Sequence, residues 1–405
     1  MSALKGVRIL ELSNERIAFA GKLLADMGAD LILVEPPGGD PARNHGPFLD
    51  DEPGPDRSLW WWHHHTSKRG VVLDLESADG RERFQRLIAE ADILLESEPG
   101  TRLAALGLDY EDLKQIRPDL IHVSMTPFGQ GSANASAPVT DLTVLAGGGP
   151  VWSCGYDDHT IPPVRGGGNQ GYQTGCHFAV MSALTAYVHR MATGEGQFID
   201  VSMHQAANIS TEAGSYSWLV ARQTVQRQTG RHALPYLSMD TQVQCQDGFW
   251  VNTGLPPRWP RDFASLRSWL DTAGLTEKLL EVIFLEMGAE HETALDLGKL
   301  GVDDEVTAIY GSGRAAMVLI AEHMTAYEFF LGCQERGLTA GIVYAPEEAF
   351  EDPHFKARGF QVEVRHEELG RTFRYPGAPY KLPASPWRIY RRAPRLGEHS
   401  EEIIG

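Results

Sequence analysis

The feature that most constrains this chain is the alternation in its first third. Short apolar runs, "VRILEL", "LILVEPP", "VVLDL", "DILLES" and "LIHVSM", are separated by helix-like stretches such as "FAGKLLADMG" and "SADGRERFQRLIAEA". Strands that alternate with helices predict a mostly parallel sheet covered on both faces. Two prolines, Pro36 and Pro37, stop the second run, and Ser77 or Asp79 is placed to cap the helix after "VVLDL". In such sheets ligands bind at the carboxyl ends of the strands. The loops "SNERIAFAG", "SEPGTR" and "TPFGQGS" are therefore the places to look for a site.

Further along, Ala179, Ser182, Ala183 and Ala186 recur at helical spacing within residues 176–191, which predicts a helix packed closely on a neighbour. "TGEGQFIDVSM" turns out of it into another strand. The polar stretch from about Arg222 to Tyr236 reads as a linker, and "QVQCQDGFWVNTG" as a hairpin that opens a second, more mixed region. The tail from Gly337 returns to extended segments, "GLTAGIVY" and "YPGAPYKL". A chain of 405 residues is long enough for two or three domains with cores of their own.

A net charge of −18 argues against a nucleic acid or an anionic membrane as partner. A phosphate-bearing ligand must find a local cluster of cations or N–H groups. No apolar run has bilayer-spanning length, and "MSALKGVRIL" has no signal-peptide core. Cys154, Cys176, Cys245 and Cys333 follow neither a metal spacing nor a disulfide framework. A reduced, cytoplasmic setting is expected.

The tract "SLWWWHHHTSKRGVVLDL" invites a metal reading, since His63 and His65 would share a face of an extended segment. Zinc needs three or four converging ligands, and no Cys or acid stands near, so a packed aromatic loop is expected and no metal. Lys68 and Arg69, just before a strand, are placed either to meet a phosphate or to form a solvated pair. The triple glycines at 147–149 and 166–168 do not form the dinucleotide-binding GxGxxG pattern. Asp141, in "APVTDLTVLAGGG", is the most suggestive lone acid: either it faces a ligand or it caps the segment that follows. "GGGNQGYQTG" precedes the helix-like "CHFAVMSALTAYVHRM", where free N–H groups would meet a ligand, yet it holds no acid.

The blocks "LKGVRILELS", "LLADMGADLILVEPPGGDPAR", "TSKRGVVLDLES", "ADILLES", "LIHVSMTPFGQGS", "TGEGQFIDVSM", "RGLTAGIVYAPEEAFEDPHFKARGF" and "APRLGEH" together resemble the family III CoA-transferases, the CaiB/BaiF family. The resemblance runs over nearly the whole chain and is weaker from about 205 to 330. It implies an α/β fold with a large parallel-sheet domain from both chain ends and a smaller α+β domain, two subunits interlocking as rings. Mapped onto this chain, the large domain takes residues 1–205 and 335–405, a linker 206–236 and the small domain 237–334.

The resemblance also implies a chemistry. An aspartate carboxylate attacks an acyl-CoA thioester, giving a mixed anhydride and free CoA thiolate. The thiolate returns to form an aspartyl–CoA thioester, and the acceptor acid then repeats the exchange. The acyl-CoA thioester is a substrate, and no covalently bound cofactor is implied. Contacts to CoA fall on Ala18, His65, Thr66, Ser67, Lys68, Ser97 and Glu98. The nucleophile sits four residues before the glycine that opens the Ala-rich helix, here Gly175, and counting back gives Gly171 between Gln170 and Tyr172. The position holds no carboxylate. Ala105 stands where a phosphate-contacting basic residue is expected, with Arg102 one turn earlier. Pro138 replaces another basic residue, and a glycine-rich lid is reduced to Gly230.

These departures point to the non-nucleophilic subunit of a heteromeric CoA-transferase, a heterodimer or heterotetramer whose paralogous partner supplies the aspartate. The Trp-rich loop suits an aromatic acid, as in the succinyl-CoA:benzylsuccinate type. A self-sufficient transferase using Asp141 or another acid is the second reading. An acyl-CoA racemase or isomerase is the third, although Thr140 stands where those members carry histidine.

Overall fold

The structure, a computed structural model, describes residues 2–211, 213–231, 233–236, 238–254 and 257–405. The chain divides into two compact units: Met1–Gly148 with Gly166–Ser210 and Phe350–Gly405, and Gly149–Arg165 with Thr211–Ala349.

The first unit follows the alternation of the sequence. Its elements are β1 (Arg8–Leu12), α1 (Ala18–Asp26), β2 (Asp30–Glu35), α2 (Leu59–His64), β3 (Arg69–Val72), α3 (Ala78–Glu90) and β4 (Ile93–Glu96). Then come α4 (Gly100–Ala105), α5 (Tyr110–Ile116), β5 (Ile121–Thr126), α6 (Asp141–Gly148), α7 (Gln170–Thr193), β6 (Gln197–Ser202) and α8 (Met203–Ile209). The six strands are parallel and ordered β3-β2-β1-β4-β5-β6. Parallel sheets are buried on both faces, which is why the central strands β2, β1 and β4 are rich in Ile, Leu and Val, while the edge strand β6, QFIDVS, is largely exposed. Leu10, in register with Ile32 and Leu94, packs with Phe84 and Ile88 of α3 and Leu113 of α5 on one face. Helix α7 packs on α1, α6, α8 and β5. Ser77, not Asp79, caps α3, its side chain accepting the Gly80 N–H at 3.0 Å.

Two local expectations are corrected. The tract "LWWWHH" is helix α2, capped by Ser58 accepting the Trp61 N–H at 3.1 Å, so His63 and His65 do not share an extended face. Helix α7 begins at Gln170, not Cys176, so Gly171 and Gly175 lie inside it. Close approach explains the second glycine: a Cβ at Gly175 would sit 2.9 Å from Met125 Sδ and 3.1 Å from Met203 Cγ.

The second unit carries α9 (Ala213–Tyr216), then β7 (Gln242–Gln244) and β8 (Trp250–Asn252), the antiparallel hairpin read from "QVQCQDGFWVNTG". Helices α10 (Pro260–Thr272), α11 (Val282–Glu290), α12 (Asp304–Ala321) and α13 (Ala326–Glu335) follow, and β9 (Gly341–Ile342) joins the hairpin. Its core holds Phe263, Trp269, Ile309, Tyr310 and Phe329. In the polar stretch from Arg222 to Tyr236, Gln226 pairs with Leu234; His232 of that stretch lies outside the described residues. The C-terminal hairpin of β10 (Gln361–His366) and β11 (Arg371–Pro376) belongs to the first unit. Among the described residues no helix is long and apolar enough to cross a membrane.

Candidate active site

Strand order reverses between β1 and β4, and in open α/β sheets ligands bind at the carboxyl ends of strands at that switch point. A crevice of about 520 Å³ lies there, walled by the loop after β1, the end of β2 and the loop after β4. Its lining is acidic. Glu15, Glu35, Asp40, Asp74, Glu76 and Glu98 face it, against Arg16 and Arg102. Arg102 is held by Glu98 at 2.7 Å and Glu76 at 3.3 Å.

Of the seven positions that the sequence marks for CoA, only Glu98 lines this crevice. Ala18, His65, Thr66, Ser67, Lys68 and Ser97 are buried. The Lys68 ammonium donates to Glu11 Oε1 at 2.8 Å and to the Ala18 carbonyl at 2.9 Å, and lies 3.1 Å from His65 Nδ1. Neither alternative read for Lys68 from sequence describes this: its charge is paired inside the fold. Burial pushes the Glu11 carboxyl up to about 7 against the pull of Lys68, and the same burial lowers the lysine. Burial also holds His65, stacked on Trp61, well below the usual imidazole range, and Lys68 beside it adds to that. Thr66 and Ser67 donate to Asp26 at 3.0 and 2.5 Å, while Lys22 bridges Asp26 and Thr66 at 2.8 Å each. The Ser97 hydroxyl donates to the Met125 carbonyl at 2.6 Å. Arg69 is paired with Asp30 and Glu402.

Asp141 is the first residue of α6 and is buried. Its Oδ1 accepts the Tyr172 N–H at 3.0 Å, so it caps α7, across space, as well as opening its own helix. A Cβ at Gly171 would lie 3.0 Å from that same oxygen. The carboxylate thus stands beside the position where the resemblance expects a nucleophile. Burial makes the Tyr172 hydroxyl a weaker acid than usual, against the pull of the nearby Arg16 guanidinium. One turn on, the Cys176 thiol donates to the Arg16 carbonyl at 3.1 Å, tying α7 to the loop after β1. Ala105, Pro138 and Thr140 are exposed. Among the described residues no group of three His, Cys, Asp or Glu could hold a metal ion.

Sequence reading missed Glu11, Glu35 and Glu96, each fully buried near a strand's end and paired with Lys68, Arg43 and His122 respectively. The available signal was an acid inside an otherwise apolar run, as in "VRILEL" and "LILVEPP".

A doubly wound parallel sheet with a crevice at its switch point is the build of nucleotide-handling α/β proteins. Comparison with known proteins narrows this. The model of CoA-transferase family III matches residues 4–400. The chain is 30% identical to the succinyl-CoA:(R)-benzylsuccinate CoA-transferase subunit BbsE of Thauera aromatica, over 98% of this chain and 92% of that one. It is 28% identical to the succinate–glutarate CoA-transferase of Agrobacterium fabrum, over 99% and 94%. A CaiB/BaiF family protein from Brucella suis shares the fold with a TM-score of 0.77 at 24% identity, covering 99% of this chain and 98% of that one. The chain belongs to CoA-transferase family III.

Proposed function

We propose that this chain is the subunit of a heteromeric CoA-transferase that lacks the nucleophile, working beside a paralogue that carries it. The observation behind this reading is Gly171: a glycine, buried in the first turn of α7, at the place the attacking carboxylate is expected. An acid acceptor and an acyl-CoA donor are the substrates, and the relative named as a subunit of a succinyl-CoA:(R)-benzylsuccinate enzyme supports an aromatic dicarboxylic acid as acceptor. The division of the chain into large domain (1–205 and 335–405), linker (206–236) and small domain (237–334), the interlocked ring assembly and a cytoplasmic setting belong to this reading.

The chemistry then divides between two chains. Free CoA carries phosphates, and this chain's crevice presents more carboxylates than guanidiniums, so CoA is expected to bind here weakly. The CoA positions mapped to Ala18, His65, Thr66, Ser67, Lys68 and Ser97 support the fold of the crevice floor in this reading, and Glu98 holds Arg102 at its lip.

One observation favours a second reading. Asp141 places a carboxylate oxygen 3.0 Å from where a side chain at Gly171 would begin, close enough to take over the attack if it released the Tyr172 N–H. Mixing the purified chain with succinyl-CoA, trapping with hydroxylamine and weighing the intact protein separates the two. No mass change is expected for this chain alone; a modified Asp141 would establish the second reading.

A further inference from the structure

We propose that the Arg16 guanidinium is the group by which this chain holds the carboxylate of an organic acid, in the crevice at the switch point between β1 and β4. Arg16 stands in "SNERIAFAG", the loop after β1, and lines that crevice. Its backbone is fixed on both sides: the N–H donates to Asn14 Oδ1 at 3.1 Å, and the carbonyl accepts the Cys176 thiol at 3.1 Å. The residue is half-buried, and among the described residues no carboxylate lies within ion-pair reach of its side chain. Of the three guanidinium nitrogens only Nε is closed to solvent. The two Nη groups therefore stay open, with no counter-ion from the protein.

The other charges of the crevice are engaged elsewhere. Glu35 accepts two bonds of 2.7 Å from Arg43, and Arg102 is held by Glu98 and Glu76. Asp40 accepts from the Ser13 hydroxyl and from the Ala42 N–H at 2.7 Å, and Asp74 from the Glu76 N–H at 3.1 Å. Glu15 lies 3.8 Å from His45 Nδ1. Arg16 is thus the crevice cation left without an acid. The acids around it turn away a polyphosphate, yet the open Nη edge matches one carboxylate, which accepts two parallel N–H bonds. A volume of about 520 Å³ falls in the range of small-molecule sites. Tyr172, the residue after Gly171, lies near enough for the guanidinium to oppose the effect of burial on its hydroxyl. An acid on Arg16 therefore stands beside the nucleophile position, which here carries no carboxylate, and is held there as the free acid. The choice of an organic acid over other small anions rests on the function proposed above.

Calorimetry on the full chain tests this, with succinate and benzylsuccinate as probes. Succinamide is the uncharged control, and inorganic phosphate the control for any small anion. At least one acid is expected to bind, succinamide is not, and phosphate is expected to bind more weakly than that acid. Arg16→Gln is expected to raise the dissociation constant of that acid about tenfold or more, as loss of a charge-assisted contact does. Without ligand the same variant should melt as wild type does, since the guanidinium has no protein partner to lose. With ligand, a given acid concentration should raise the melting temperature of wild type more than that of the variant. Arg16→Lys keeps the charge and loses the fork; its affinity is expected to fall between the two, and it serves where the glutamine variant does not fold. No binding of either acid, equal binding of succinamide or phosphate, or a dissociation constant unmoved by both variants would each overturn the assignment. A variant that melts lower and binds the acid as wild type does would assign Arg16 to the fold instead. Absence of acid binding beside an unlabelled Asp141 removes this assignment alone; a labelled Asp141 beside binding that depends on Arg16 removes the subunit reading alone.

Discussion

At Gly171 the Asp141 carboxylate and the Leu145 side chain already crowd the space in which a nucleophile would begin. Restoring the acid there brings two carboxylates together in a buried place, where one of them must give up its charge or move. Gly171→Asp is expected to lower stability by about 1–3 kcal/mol, as overpacking does, and to form no adduct with acyl-CoA by itself. Adding Asp141→Ser, which keeps an oxygen for the Tyr172 N–H and frees the space, should recover much of that loss in urea denaturation. A Gly171→Asp chain as stable as wild type would show that Asp141 yields easily. Lys68 makes a second case at this scale. It pairs with Glu11 at 0% exposure for both side chains. Lys68→Ala strands a buried carboxylate and is expected to cost about 3–5 kcal/mol, while CoA affinity measured by calorimetry stays unchanged. Glu11→Leu with Lys68→Met should return most of the stability, since both charges leave together. A loss of CoA affinity without a loss of stability in Lys68→Ala would return the lysine to the CoA site.

The elements were legible where a single period decided them. "VRILEL" and "LIHVSM" could only be strands in a sheet buried on both faces, and Ala179, Ala183 and Ala186 are buried on α7 as their spacing required. Helix α2 was not legible because Trp and His are indifferent helix formers, and the Ser58 cap is what starts it. The start of α7 was hidden because its glycines serve close packing, which resembles loop composition. The pairing of Lys68 with Glu11 spans 57 residues, and nothing local announces it. The C-terminal segment shows a similar long reach: the His399 N–H donates to the Gly70 carbonyl on β3 at 2.9 Å, and Trp61 Nε1 donates to the Pro394 carbonyl at 3.1 Å. Within that segment Glu398 accepts from Arg392 at 2.8 and 2.9 Å and from the Arg395 N–H at 2.8 Å. Partial burial would raise its carboxyl, but Arg392 and that N–H win and hold it at about 2. A depressed carboxyl stabilises the fold above its unfolded value of 4.5, and the contribution is lost as pH falls from there toward 2. Glu398→Gln is expected to lose about 1 kcal/mol at neutral pH, discounted for solvent screening of a partly exposed pair. The difference from wild type should vanish near pH 2 in an acid titration of stability; a difference that persists there would assign the loss to packing.

For the molecule as a whole, a net charge of −18 and an acidic crevice accord with the proposed division of labour, in which the partner holds CoA more tightly. Met181, Val188 and Met191 stand exposed along α7, an apolar stripe that a partner subunit is expected to cover. Folding and assembly are then coupled, and co-expression with a nucleophile-bearing paralogue should give several times more soluble protein than expression alone. A well-behaved, active homodimer of this chain would contradict that. The most direct test of the division of labour is intact-mass analysis of the two-chain complex after succinyl-CoA and hydroxylamine. A hydroxamate-sized mass change is expected on the paralogue and none on this chain, whose Asp141 remains on the Tyr172 N–H. A mass change on this chain, mapped to Asp141, would contradict it.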